Sequence, residues 1–307
     1  MTAPQWMAEI EVGLELAQDL VRRVAPDLGL IAFEQFGNGW DNTAYVIDHK
    51  TVFRFPRRAN VAHLLEREAI FLPRIAPLIG LAISSPTLIG APTDNFPWSY
   101  SGYPLVLGQT GCHVRWSDEE RGRMAEPLGR FLRELHGINP TPFLEAGLPH
   151  DELGRLEHAK RYPRTRDRYT VLHDIGVVGD EGVALMDWMS GNPPVAPPPD
   201  SLRIVHGDLY ARHVVVSEAV PVGVIDWGDI HVGDSALDIS IAHLALPREA
   251  YDAFRRAYGD IDERTWTAAR YRAIYHAFLE IEYGNSVADE DMRRAGLEAL
   301  RLICAGL

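Results

Sequence analysis

The hydrophobic period of this chain changes once along its length, and that change limits the folds open to it. In the first ninety residues, apolar and polar positions alternate in FEQFGNGWDNTAYVID and again in TVFRFPRR, with a polar DHK turn between them. A period of two puts successive side chains on opposite faces of a strand, so the spacing predicts antiparallel hairpin strands. One helix is expected in this part, over HLLEREAIFLPRIAPLI, where Leu64, Ile70, Phe71 and Ile75 fall at helical spacing. After residue 110 the helical period takes over. SDEERGRMAEPLGRFLRELHGI opens with a Ser cap and an acidic first turn, then sets Leu128, Phe131, Leu132 and Leu135 on one stripe. Helical patterns return in REAYDAFRRAYG, ERTWTAARYRAIYHAFLEIEYG and DEDMRRAGLEALRLICAG, interrupted by two short strand-like runs, HVVV and VGVID. The economical architecture is α+β: a small β-rich N-terminal lobe over residues 1–108 and a larger, mainly helical C-terminal lobe over 109–307. The hinge is expected near SGYPLVLGQTG. NPPVAPPPD, residues 192–200, is a stiff Pro-rich connector.

Composition removes several function classes. With 307 residues and 46% hydrophobic content the chain can bury a sizeable core. No apolar run is long enough to cross a bilayer, and MTAPQWMAEIEVGLELAQDL has no basic segment followed by an uninterrupted apolar stretch. A soluble, cytoplasmic protein with no membrane partner is therefore expected. Cys112 and Cys304 are the only cysteines, which makes a disulfide framework implausible and rules out a Cys-based zinc site; both read as small buried hydrophobes. A net charge of −13 opposes nucleic-acid binding, because such proteins present clustered Lys and Arg to release counterions. A cationic partner is easier to accommodate, with solubility as the competing explanation of the charge.

The segment VHGDLYARHVVV, residues 205–216, sets Asp208 between His206 and His213, and Asp226 follows in IDWG after a second short strand. Taken alone, the cluster is open to three readings: a metal site, a catalytic loop or an ordinary turn. In the protein-kinase signature a catalytic-loop Asp accepts the hydroxyl proton, an Asn five positions on holds a metal, and the Asp of D-F-G holds the Mg²⁺ that bridges the phosphates. HGDLYARH and DWG match those positions in spacing.

At these residues the chain resembles the aminoglycoside phosphotransferases and their relatives, which include macrolide kinases and choline kinases. The resemblance covers nearly the whole chain. HGDLYARH and VIDWGDIHVGD are its most specific elements, supported by FGNGWDNTAYVI, VFRFPRR, EREAIFL and the LRELHGI helix. It implies a bilobal protein-kinase-like fold, a nucleoside triphosphate (ATP or GTP) with Mg²⁺, phosphorylation of a hydroxyl on a small molecule, and a possible role in antibiotic resistance.

The resemblance also distributes roles. Gly37 and Gly39 let a hairpin backbone approach the phosphates, with Asn42 and Thr43 as polar contacts; a plain Gly-containing turn is the competing explanation. Arg54 stands where the family usually has a lysine that grips phosphates, since Lys50 and Lys160 are the only lysines and Lys50 falls in the preceding turn. Glu68 is its expected partner and Glu66 the alternative, a surface ion pair being the plain reading for either. An arginine brings a wide planar head in place of a point charge. The nucleotide base is expected on the backbone of Tyr103, Leu105 and Leu107.

Asp208 is expected to orient and deprotonate the acceptor hydroxyl. Asp226 is the expected main metal ligand, and His213 the second, where asparagine is usual and some macrolide kinases have histidine. Mg²⁺ prefers oxygen donors, so the imidazole is expected to bind it weakly or through water. His206 is expected to shape the loop, and Asp234 and Asp238 to brace it or cap a helix.

For the acceptor, residues 217–247 carry five acidic side chains and no Lys or Arg, and Glu280, Glu282, Asp289, Glu290 and Asp291 add a second acidic group. A negative cleft suits a polyamine-bearing sugar, so Asp229, Glu280, Glu282 and Tyr283 are expected to meet an aminoglycoside-like substrate. The plain alternative has Glu280 and Glu282 facing water. Trp266, Tyr271, Tyr275 and Tyr283 serve equally as core or as a wall for a bulkier ligand. Rival readings are a macrolide or amino alcohol kinase of the same fold, a hydrolase with His206, Asp208 and His213 on a metal, and a nucleotide-binding protein without turnover.

Overall fold

A computed structural model of the protein describes residues 8–28, 32–38 and 41–307. The chain forms two compact units, one of residues 1–77, 82–106 and 226–229, the other of 78–81, 107–225 and 230–307. The IDWGD segment thus contributes four residues to the first unit, an assignment that a linear division of the sequence does not make.

In the first unit, helix α1 (Leu14–Val24) precedes strands β1 (Phe33–Asn38), β2 (Asn42–Ile47) and β3 (Thr51–Pro56). Helix α2 (Ala59–Ile75) follows, then β4 (Ala82–Ile83), β5 (Leu88–Gly90) and β6 (Tyr100–Pro104). Five strands make an antiparallel sheet in the order β1-β2-β3-β6-β5. The polar DHK turn is the predicted hairpin: Asp48 and His49 both take positive φ, and Lys50 N–H donates to Ile47 O at 3.0 Å. Two consecutive left-handed residues twist the chain in the sense the flanking strands need. Alternation along β2 and β3 sends Tyr45, Ile47, Phe53 and Phe55 into one core with Ala17, Leu20 and Val21 of α1. Truncating one of these phenylalanines to Ala would cost about 3–5 kcal/mol. Helix α1 was not expected, the sequence reading having placed one helix in this part. Its stripe of Ala17, Leu20 and Val21 is short and flanked by charge, so it shows as a helix only against the sheet. In α2, Phe71 and Ile75 are buried as expected, while Ile70 faces out and Glu68 is buried in the position an apolar residue would hold.

The second unit begins with β7 (Gln109–Thr110), α3 (Asp118–Arg123), α4 (Ala125–His136), α5 (Thr141–Leu144), α6 (His158–Asp174) and α7 (Glu181–Gly191). The predicted Ser cap is a full capping box: Ser117 Oγ accepts from Glu120 N–H, and the Glu120 side chain accepts from Ser117 N–H. Next come β8 (Arg203–Val205), β9 (Val214–Ser217), β10 (Val220–Val224) and β11 (His231–Gly233). Helices α8 (Ala236–Ala245), α9 (Tyr251–Tyr258), α10 (Glu263–Ser286) and α11 (Glu290–Ala305) complete it. The strand-like runs HVVV and VGVID are the β9 and β10 hairpin, and the last three predicted helices are α9, α10 and α11. Every residue of α8 is buried. Helix α10 packs on α6, α7, α8 and α11. Its approach to α11 depends on Gly296, where a Cβ would meet the Ile281 nitrogen at 2.9 Å. The Pro-rich connector leads into β8, whose end carries the HGD segment.

Candidate active site

The HGD loop of the second unit is fixed from below by one carboxylate. Asp238 of α8, wholly buried, accepts His206 N–H at 2.7 Å and Gly207 N–H at 2.9 Å, and contacts His136 Nε2 at 3.1 Å. Burial alone would raise its pKa. The hydrogen bond and charge of His136 and the Gly207 N–H outweigh that and keep it lowered. Gly207 turns the chain at φ +83°, a conformation open to glycine at no steric cost. His206 is engaged on both ring nitrogens by backbone: Nδ1 accepts Asp208 N–H at 3.2 Å, and Nε2 donates to Ile225 O at 3.0 Å. Burial lowers its pKa, so the ring is neutral. Asp238 therefore braces the loop, whereas Asp234 accepts Ala236 N–H at 2.9 Å at the start of α8 and pairs with Arg264 at 2.7 Å.

Asp208 leaves this loop with its side chain 28% exposed. Its Oδ1 lies 3.1 Å from His276 Nε2 and 3.3 Å from Arg272, both buried on α10. Burial pushes the Asp208 pKa up, but the hydrogen bond and charge of His276, with His213 and Arg272, hold it well below the usual carboxylate range. His213 donates Nδ1–H to the Asp208 carbonyl at 2.8 Å. Tyr210 packs its ring 4.4 Å from that of His213 and 4.5 Å from that of His276.

In the first unit, Arg54 on β3 donates to Glu68 of α2 at 2.9 and 3.2 Å and to Asp226 at 2.6 Å. Tyr103 OH also donates to Glu68, and the Arg54 guanidinium lies 5.7 Å from the Tyr103 ring centre. Glu68, fully buried, has its pKa raised by burial against the opposing pull of Arg54. Asp226 sits at φ +65°, which Asp tolerates better than most residues, and its side chain is 46% exposed. Trp227, next to it, is completely buried, and Gly228 packs on Leu64 of α2. Asp229 is half-buried, and its charge together with that of Asp226 acts on Asp41, which pairs with Arg58.

Some expected contacts are placed otherwise. Gly37 pairs with Ala44 beside a bulge in β1, whereas Gly39 lies outside the described residues. Asn42 is buried and its Oδ1 has no hydrogen-bond partner. Register pairs Ala44 with Arg54 and Thr43 with Phe55, so Thr43 faces the Tyr45 side, where it lines a cavity with Glu11 to Leu14. It is thus turned away from Arg54, because the strand period is two. The Leu105 N–H is committed to Lys50 O at 2.7 Å, and Leu107 is exposed. Glu66 accepts from Ser99 and takes no part in the Arg54 pair.

The acidic group of the helical unit is extensively paired. Glu280 is buried and 3.0 Å from His276 Nδ1, so it does not face water. Glu282 pairs with Arg168 at 2.6 Å, Asp289 with Arg212 at 3.9 Å, and Asp291 with Arg294 at 3.1 Å. Tyr283 is half-buried, with Arg212 5.9 Å from its ring centre. Trp266, Tyr271 and Tyr275 are buried and belong to the core.

Among the described residues no group of three or more His, Cys, Asp or Glu converges as a metal cage. Asp226 offers a half-exposed oxygen donor, the donor type Mg²⁺ takes from one or two carboxylates while water and phosphate fill the remaining positions. It fits that ion. His213 offers nitrogen, a poorer match. A hydrolytic metal set on His206, Asp208 and His213 does not fit, because both nitrogens of His206 are spent on backbone.

The two side chains that contact Asp208 and were not singled out from the sequence are Arg272 and His276. The signal was present: Arg272, His276 and Glu280 recur at every fourth position in an otherwise apolar stretch, a spacing that aligns them on one helix face.

A β-rich unit with a buried Arg–Glu pair and a helical unit carrying an HGD loop are the parts of a protein-kinase-like fold, and comparison with known proteins agrees. The model of the phosphotransferase enzyme family matches residues 32–273, and the chain belongs to that family as a kinase-type phosphotransferase. Among solved structures, the GDP and kanamycin complex of APH(2")-IIia aligns with a TM-score of 0.68 at 22% identity, over 94% of this chain and 98% of that one. The macrolide 2'-phosphotransferase MphH from Brachybacterium faecium, as apoenzyme, aligns at 0.60 and 21% identity, over 94% and 97%. The streptomycin-ATP-APH(2")-IIa ternary complex aligns at 0.54 and 18%, over 95% and 97%. Comparison with curated proteins gives no match. No helix among the described residues is long and apolar enough to cross a membrane.

Proposed function

We propose that the protein transfers the γ-phosphoryl group of ATP or GTP to a hydroxyl of a small molecule, with an aminoglycoside-like antibiotic as the first acceptor to test. The observation that carries this reading is Asp208, a partly exposed carboxylate kept anionic by His276 and Arg272 on a loop fixed by Asp238. In the step proposed, the acceptor oxygen bonds to the γ-phosphorus as the bond to the β,γ-bridging oxygen breaks. The hydroxyl proton passes to the Asp208 carboxylate. Because phosphoryl transfer goes through a loose transition state, Asp208 serves mainly to orient the hydroxyl, a task that suits its low basicity. Arg54 is assigned to the phosphates, Asp226 to Mg²⁺, and His213 to a weaker metal contact. Bound Mg²⁺ supplies neutralisation of the triphosphate charge.

Two neighbours, solved as a kanamycin and a streptomycin complex, support the aminoglycoside acceptor. A macrolide acceptor is the second reading. It is favoured by His213 at the usual asparagine position and by the ion pairs that offset Glu282, Asp289 and Asp291. A transfer screen with ATP and GTP across aminoglycosides, macrolides and amino alcohols tests both. Transfer to a macrolide alone would replace the first acceptor by the second, and no transfer to any hydroxyl would contradict the reaction class.

A further inference from the structure

The imidazole of His276 stands between two carboxylates. Its Nε2 is 3.1 Å from Asp208 Oδ1, its Nδ1 is 3.0 Å from Glu280 Oε1, and the His276 and Glu280 side chains are each 4% exposed. Ionised carboxylates only accept hydrogen bonds, so two of them on one ring require both nitrogens to carry protons. The ring is then an imidazolium that bridges them. Arg272, one helical turn before it, supplies the second positive charge, so Asp208, Glu280, His276 and Arg272 form a set with no net charge. Around the ring, besides Asp208, lie Tyr210 of the HGD loop and Arg272 and Glu280 of α10, and His213 reaches it through Asp208.

We propose that His276 is a positioning residue for phosphoryl transfer, and that Glu280 acts through it: Glu280 holds the ring at Nδ1, and the ring in turn fixes Oδ1 of Asp208, so that Oδ2 is presented to the acceptor hydroxyl. The inference rests on the reading of Asp208 as the group that orients the acceptor. It gives Glu280 a role other than contact with substrate, consistent with its burial. The directional demand falls on His276 because its contact is the shorter of the two made to Oδ1 by α10, 3.1 Å against 3.3 Å for Arg272. Without it, the carboxylate keeps a counter-charge and loses one of its anchors. A displacement on the order of 1 Å from a group distant from the chemistry can cost about a hundredfold in rate.

Two isosteres separate this role from simple packing. The Gln amide nitrogen falls near Nε2 of histidine, and the Asn amide nitrogen near Nδ1. His276→Gln therefore retains the donor to Asp208, whereas His276→Asn retains only the donor to Glu280. Steady-state transfer kinetics and melting curves are measured on both variants in the full chain, with the best acceptor from the screen, and nucleotide hydrolysis with water as acceptor is followed alongside. The expected result is that His276→Asn lowers kcat about a hundredfold while nucleotide KM stays within about threefold, and that His276→Gln recovers to within about tenfold of wild type. Equal losses in the two variants at matched melting temperature, or a wild-type kcat in His276→Asn, would overturn the role of His276. A wild-type protein that neither transfers phosphate nor hydrolyses nucleotide would overturn the phosphotransfer reading, and this inference with it.

Discussion

Arg54 and Asp226, 172 residues apart in sequence, are joined by a 2.6 Å contact between a guanidinium nitrogen and a carboxylate oxygen. The other terminal nitrogen of Arg54 serves the fully buried Glu68. A planar fork can hold two carboxylates at once, which a point charge does less well, and this gives arginine a structural reason to stand at that position.

Removal of that cation should therefore destabilise the first unit before it affects anything else. Arg54→Met leaves Glu68 buried beside Tyr103 with no counter-charge, and a loss of about 3 kcal/mol is expected in chemical denaturation. Adding Glu68→Leu should recover most of it. A single variant as stable as wild type would show that Glu68 is neutral in the folded chain.

Asp238 is predicted to be as important to the loop as Asp208 is to the reaction. Asp238→Asn replaces one acceptor oxygen with an NH₂ group among the His206 and Gly207 N–H donors and His136. One buried donor then faces another, which costs about 1–3 kcal/mol. Denaturation should show that loss, and kcat should fall with it because the loop carries Asp208. Unchanged stability would mean the backbone N–H groups find other partners.

The buried His243 predicts an acid-side loss of stability. Burial, assisted by the charge of Arg270, lowers its pKa to about 3 from the ordinary 6.5, so the ring is neutral in the folded chain. Below pH 6.5 the unfolded chain takes up the proton first. The contribution is thus complete above 6.5 and is lost as pH falls toward 3, by about 1.4 kcal/mol per pH unit. His243→Gln should flatten that slope in denaturation series between pH 6.5 and 5. An unchanged slope would place the acid sensitivity elsewhere.

The parts of the fold that repeat a local rule were legible in the sequence. The Asp48–His49 turn, the Ser117 capping box and the stripe of α4 follow from residues within one turn or strand of each other. HGD and DWG were legible for the same reason, as short contiguous segments. What escaped depended on phase or on distance. Thr43 and Asn42 look alike as polar neighbours, yet one step along a strand puts them on opposite faces. Glu280 and Glu282 look alike as acidic neighbours, yet two steps along α10 separate a buried partner of His276 from a half-exposed partner of Arg168. Net charge counted along the sequence does not register such pairing, and the acidic-cleft expectation inherited that blindness.

The measurement that bears most directly on the account is the turnover of Asp208→Asn. Loss of the carboxylate charge leaves His276 and Arg272 in place and leaves the Arg54, Glu68 and Asp226 set of the first unit untouched. Phosphate transfer should fall by about 100-fold or more, with ATP or GTP binding by calorimetry within about threefold of wild type. Near-native transfer by Asp208→Asn would contradict the assignment of Asp208 as the group that orients the acceptor.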